Sequence, residues 1–269
     1  MTTAIGIAIT SLTLAIGLGA QDTVVTITPA WMVPVDTPGV NVPSDRGESA
    51  DYQVKYGIFS VGRGSMQVMK IDTVRGRESW HIQFRVRGGV PGFRVNDRME
   101  SWIDTKTLAS LRFYQQLDQG NYERERRFEI YPGSTYVEDE REPQPTVALP
   151  LDDGSFLYFI RTIPLEVGQE YSFERYFRPD RNPVRIQVLR KERIRVPAGE
   201  FETIVIRPTI KARGIFSEDG HAEVWLTDDD RRLMVQMKSR MKVGSLNLYL
   251  RSYTPPTAAQ GSAADTTGK

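Results

Sequence analysis

The 269-residue sequence predicts an all-β fold: a strongly curved antiparallel sheet, half-barrel or barrel-like, with a short helix plugging its apolar face. Three observations predict it. About a dozen runs alternate apolar and polar residues between polar turns, the period-two mark of half-buried strands. One stretch near the middle carries helical periodicity instead. With a single helix available, the apolar strand faces must be covered by it, by a second sheet, or by closure into a barrel.

The chain starts with an apolar run, residues 4–18, too short for a comfortable membrane span and followed by Gly19 and Ala20. This predicts a signal peptide over residues 1–20 cleaved near Gly19 or Ala20, although Met1-Thr2-Thr3 lacks the usual basic charge. The sequence has no cysteine, which excludes disulfides, thiol catalysis, thiolate metal sites and a lipoprotein-type anchor. The expected location is the periplasm or beyond, with no transmembrane segment after signal removal. Residues 21–49 are proline-rich and read as an extended lead-in. Residues 50–253 read as a single β-rich domain, and residues 254–269 as a disordered tail.

Within the domain, Tyr52, Val54, Tyr56 and Ile58 alternate with polar residues as a first strand. Gly62-Arg63-Gly64 reads as a turn, residues 65–74 as a return strand, and Arg75-Gly76-Arg77 as the next turn. Trp80, Ile82, Phe84 and Val86 give the cleanest alternation, and residues 88–92 read as a longer loop. Strands then cover residues 95–103, 108–117 and 122–131, with Asp104-Thr105-Lys106 and Asp118-Gln119-Gly120-Asn121 as turns. Residues 138–145 are charged and proline-bearing, an exposed excursion. The helix follows: Phe156, Phe159, Ile160 and Ile163 form one stripe at i, i+3, i+4 and i+7. Asp152 is placed as N-cap, Leu151 with Phe156 as hydrophobic staple, and Pro164 as terminator. Strands resume over residues 171–177, 184–196, 201–211, 223–227, 233–243 and 246–253. Glu100-Ser101-Trp102-Ile103-Asp104 and Glu223-Val224-Trp225-Leu226-Thr227 form a weak internal repeat, with Leu111 and Leu233 opening the strand after each.

A net charge of +1, with arginines alternating with Glu and Asp, gives no bulk reason to bind nucleic acid. His81 and His221 are the only histidines and have no sequence neighbours that nominate a metal site or a triad. Asp228-Asp229-Asp230 followed by Arg231-Arg232 reads as a turn with local charge pairing and not as a calcium loop. No catalytic residue, metal site or cofactor is expected.

The run Asp152-x-x-Ser155-x-x-Tyr158-x-x-Arg161, with Pro164-Leu165 and Gly168, resembles the exported bacterial family "domain of unknown function 3108". Tyr52-x-Val54-x-Tyr56-Gly57-Ile58, Asp104-Thr105-Lys106-Thr107-Leu108, Pro197-Ala198-Gly199-x-Phe201 and Val224-Trp225-Leu226-Thr227-Asp228-Asp229-x-Arg231 also match, in order. That resemblance implies export and supplies no catalytic residues. In architecture alone the pattern resembles periplasmic lipoprotein carriers of the LolA and LolB kind, in which a curved sheet wraps an apolar cavity lidded by helices. Together these imply a non-enzymatic binding module for a lipophilic ligand or an acylated protein, with lipid or lipoprotein as partner. The candidate lid is Phe156, Phe159 and Ile160, with Tyr158 and Arg161 at the mouth, and Trp102, Trp225 and Met237 as wall. The favoured alternative for Arg161 is a structural one, pairing with a strand carboxylate to fix the helix to the sheet. Met66, Met69, Met99, Met234 and Met241 are further apolar candidates. The alternative is a structural or assembly protein of the envelope with a sealed core; a hydrolase ranks third.

Overall fold

Residues 47–211, 222–240 and 245–256 of the computed structural model are described, and they build one antiparallel sheet of 14 strands. The expected signal, most of the lead-in, the tail beyond residue 256, His221 and Met241 lie outside those residues. In chain order the strands are β1 Ser49–Tyr56, β2 Phe59–Val74, β3 Arg77–Val90, β4 Phe93–Asp104, β5 Ser110–Gln119, β6 Tyr122–Tyr131, β7 Thr135–Glu138 and β8 Gln144–Pro145. Helix α1, Ser155–Phe159, runs on into a 3-10 turn, Ile160–Thr162. Then follow β9 Glu170–Phe173, β10 Val184–Val196, β11 Gly199–Thr209, β12 Glu223–Thr227, β13 Met234–Arg240 and β14 Ser245–Thr254.

The spatial order is β8 to β1 followed by β14 to β9. Two meanders are therefore joined where β1 pairs with β14, and the helical segment carries the chain from one outer edge to the other. Among the described residues no ladder joins those two edges, so the sheet is curled and not closed. Side chains and loop backbone stitch them instead. Leu151 forms a parallel bridge with Tyr176, and the Ser110 N–H donates to the Pro150 carbonyl at 2.7 Å. The Phe177 ring lies 5.2 Å from both Phe128 and Tyr136 and 6.3 Å from Phe113. One residue after β9 thus reaches the rings of β5, β6 and β7.

The internal repeat extends much further than its tryptophans. β2–β5 and β10–β13 share a register: Val68 and Val188 each precede a bulge, after which Lys70 pairs with His81 and Arg190 with Val205. A second bulge follows Trp102 in one repeat and Trp225 in the other. The Trp102 indole donates to Asp72 at 3.2 Å, and the Trp225 indole to Glu192 at 2.6 Å. Ser79 bonds the Asp72 carbonyl and Thr203 the Glu192 carbonyl. Along the sheet, each carboxylate sits two strands from its tryptophan in the same direction. The repeat places Leu111 opposite Val235, not Leu233, because both occupy the bulge.

Several expectations change. Gly62-Arg63-Gly64 is not a turn but lies inside β2, and the reversal is at Gly57-Ile58, where Gly57 has φ +57°. A Cβ on Gly62 would overlap the Arg87 carbonyl, and one on Gly88 the Val61 carbonyl. Glycine serves close strand contact there, which composition alone does not separate from turn chemistry. The loop expected over residues 88–92 shrinks to Pro91-Gly92, with β3 running to Val90. The excursion over residues 138–145 includes the edge strand β8 and the end of β7. Residues 174–177 leave the sheet after β9. The lead-in ends earlier than residue 49: the Gly47 N–H donates to the Val68 carbonyl, and Glu48 is buried.

Candidate functional site

The helical segment sits on the apolar face of the sheet, as its stripe requires. Asp152 is the organising residue. Its Oδ1 accepts from Ser101 Oγ at 2.6 Å and from the N–H groups of Gly154 and Ser155 at 2.8 Å each. This is the work of an N-cap, performed just ahead of the assigned first turn at Ser155. Ser110 and Ser155 hydroxyls meet at 2.8 Å and both accept from the Asp152 N–H. A Cβ on Gly154 would strike Ser101 Oγ, so the tight entry needs glycine. Ile163 is already extended (φ −87°, ψ 137°) because Pro164 follows.

Every expected lid residue is sealed. Phe156 and Ile160 are 0% exposed, Phe159 and Tyr158 1%. Phe159 packs edge-on against Phe173 with ring centroids 5.0 Å apart, and the Arg175 guanidinium covers its ring at 4.4 Å. Arg161 meets no solvent anion: its Nη1 lies 2.7 Å from Glu48 Oε1, and its guanidinium stacks over Tyr158 at 4.5 Å. Burial opposes the charge on Arg161, but Glu48, Tyr158 and Tyr52 together outweigh it and the guanidinium pKa is raised. Tyr158 and Tyr52 are pushed up by burial, and Tyr52 donates to the Met234 carbonyl at 2.9 Å. Asp152, fully buried, is raised to about 6 by loss of solvent, against the pull of its Ser101 and Ser155 bonds.

Met237 lies on the same apolar face, in a ladder row with Val188, Ile206, Val224, Leu248 and Val54. Trp102 and Trp225 do not. Ser101 and Ile103 flank Trp102 and point inward, so the indole faces outward, stacked on His81 at 4.2 Å beneath Arg112. Trp225 shares its row with Arg190 and Gln236 and lies under Arg190 and Lys238. Strand alternation thus removes both tryptophans from the proposed wall.

An open polar depression of about 370 Å³ lies on that outer face, lined by Arg98, Glu100, Trp102, Arg112, Tyr114 and Glu129 among others. Its carboxylates are engaged. Glu100 takes His81 Nε2 at 2.9 Å and Gln83 at 3.0 Å. Glu129 takes Arg112 at 2.5 Å and also Arg75. This chemistry suits holding a polar surface more than activating a nucleophile. Asp229 accepts from Thr227 and Arg231, the local pairing its turn suggests, while Asp228 pairs at 2.7 Å with Lys191 on β10. Among the described residues no group of three His, Cys, Asp or Glu side chains is placed to hold a metal ion, and no helix is long and apolar enough to cross a membrane.

Sequence reasoning missed Glu48 as the partner of Arg161, Ser101 as the partner of Asp152, and Arg175. Arg175 is 3% exposed, bonds the Leu149 and Thr107 carbonyls, and is lowered to about 10 by burial. No local pattern announces such partners, because each joins segments distant in the chain.

No curated protein matches this chain. Among solved structures, it resembles a "beta-barrel-like protein of domain of unknown function DUF1849" from Brucella abortus (TM-score 0.47, 8% identity, 80% of this chain and 100% of that one). It also resembles a protein described as a candidate lipoprotein from Parabacteroides distasonis (TM-score 0.35, 14% identity, 79% and 97%). A third is described as a candidate exported protein with a YmcC-like fold from Bacteroides fragilis (TM-score 0.33, 10% identity, 79% and 97%). The family described as "Protein of unknown function (DUF3108)" matches residues 51–251, nearly the whole of the sheet, and the chain belongs to that family.

Proposed function

We propose that this chain is an exported, non-enzymatic protein of the cell envelope whose core is sealed and whose working surface is the outside of the sheet and its loop ends. One observation carries this reading: the side chains best suited to lid a lipid cavity are packed against the sheet with no exposure. The helical segment is also pinned by the Arg161–Glu48 pair and the Asp152 bonds. Opening it would strip a buried ion pair, which costs about 3–5 kcal/mol when one partner is lost. The apolar run over residues 4–18 supports export. The test is native mass spectrometry, with organic extraction, on mature protein purified gently from its own envelope. A bare mass, with no uptake of fluorescent fatty acid, is expected. Co-purifying lipid that is lost on Phe156→Glu or Phe159→Glu, with circular dichroism unchanged, would restore the carrier reading.

A further inference from the structure

Of the eight large apolar side chains that remain exposed among the described residues, five cluster, while Met69, Tyr131 and Val167 lie elsewhere. Ile58 (84%), Phe59 (69%), Val90 (46%), Phe93 (48%) and Tyr122 (49%) all lie on the reversals β1–β2, β3–β4 and β5–β6. Successive hairpins of a meander turn at alternating ends, so these three share one end of the sheet. Two of them touch, β3–β4 and β5–β6: the Phe93 ring lies where a Cβ on Gly120 would stand, and the Gly120 N–H donates to the Arg94 carbonyl at 2.7 Å. The result is an exposed apolar rim, where sequence alternation would have allowed polar tips.

Behind the rim lies a belt of arginines. Arg63 and Arg87 face each other across the β2–β3 ladder, and Arg85 faces Arg98 across β3–β4. Like charges opposite one another cost stability. Among the described residues Arg63 and Arg87 have no carboxylate partner, whereas Glu100 acts on Arg85, and Arg87 bonds Asn96. Arg94 extends the belt, paired with Asp118. Arg87 sits three residues from Val90, about 10 Å along the strand. An interfacial element buries its apolar side about 5–10 Å below the headgroups, so this spacing puts guanidinium groups at phosphate level.

We propose that this end of the sheet docks onto an anionic lipid bilayer, with the tips of the three hairpins entering the interface and Arg63 and Arg87 binding lipid phosphates. The inference rests on the sealed-core reading, since it gives the protein an external lipid surface in place of an internal cavity. The mature chain is mixed with vesicles of phosphatidylglycerol and phosphatidylcholine, or of phosphatidylcholine alone, and floated on a density gradient. Flotation with the anionic vesicles, falling as salt rises, is expected. Ile58→Glu with Phe59→Glu lowers the partition coefficient by roughly a hundredfold. Each of Arg63→Gln and Arg87→Gln lowers it by roughly fivefold and erodes the preference for phosphatidylglycerol. Should the double variant misfold by circular dichroism, Ile58→Glu alone, in the turn, retains the test. Ile58→Trp is expected to be quenched by brominated lipid, and Tyr131→Trp, at the opposite end of β6, is not.

Wild-type protein left at the bottom of the gradient overturns the proposal, as does flotation indifferent to the tip variants. So does a dimer in sedimentation velocity that Ile58→Glu dissociates while vesicles stay bare, which would make the occupant a second copy. The two readings fail separately, because a lipid-loaded mass refutes the sealed core without bearing on flotation.

Discussion

Asp152→Asn isolates the electrostatics of the helix entry. In the folded chain the carboxyl is 0% exposed, its Oδ1 carries three hydrogen bonds, and Oδ2 has no partner. Loss of solvent raises it from 3.8 to about 6. A carboxyl raised on folding binds its proton more tightly in the native state. Its cost is therefore absent well below pH 3.8, grows as pH rises, and is complete above about pH 6. The difference between those two values corresponds to about 3 kcal/mol. Asparagine keeps an oxygen for the Ser101 hydroxyl and the two N–H groups and cannot ionise. Urea unfolding followed by tryptophan fluorescence, from about pH 4 to about pH 7.5, should show the wild type losing about 2–3 kcal/mol relative to the variant. Asp153, also raised by burial, stays in both chains and largely cancels. Asp152→Ala leaves three donors without an acceptor and is expected to cost about 3 kcal/mol or more near pH 4, where no charge is relieved. A pH-independent difference between wild type and Asn, or an Asn variant weaker than Ala, would refute the reasoning.

Three other outcomes follow from the geometry. Arg161→Met leaves Glu48 charged and buried and should cost about 3–5 kcal/mol, and adding Glu48→Gln should recover a large part in a urea double-mutant cycle. Phe177→Ala should cost about 3–5 kcal/mol and accelerate amide exchange in β5–β7 as well as in β9–β10, because the ring is the clasp between those edges. Gly62→Ala should cost about 1–3 kcal/mol in thermal unfolding by forcing β2 from β3, and Gly76→Ala should cost less, since its Cβ meets only open space and its φ of +76° is the remaining strain.

The sequence made the helix face legible because four large apolar residues repeat at its period and proline follows. The strands β3 and β14 were legible for the same reason, by period two. What failed failed at strand parity and at long range. Trp102 alternates with inward Ser101 and Ile103, and Trp225 with Val224 and Leu226, so grouping them with Met237, which shares a row with Val224, put them on the wrong face. Gly62 and Gly88 carry turn composition but serve a backbone contact. Glu48 sits within residues that read as lead-in, and only the folded sheet brings it to Arg161.

The repeat also explains why the chain needs its helix. Six strands, β1–β6, correspond to β9–β14 by translation along one sheet, with matching bulges, tryptophans and carboxylates. A meander of identical units has no intrinsic place to stop or close, and its end strands leave unpaired edges. The segment between the repeats resolves both. It spans from β8 to β9, places Leu151 in a bridge with Tyr176, and covers the apolar face that neither repeat buries alone. Asp152 and Arg161 carry buried charge in that segment because they fix it in one position, where apolar packing alone would let it slide. A segment held so firmly is suited to closing the sheet permanently, which leaves the exposed hairpin ends as the part of the fold free to meet a partner.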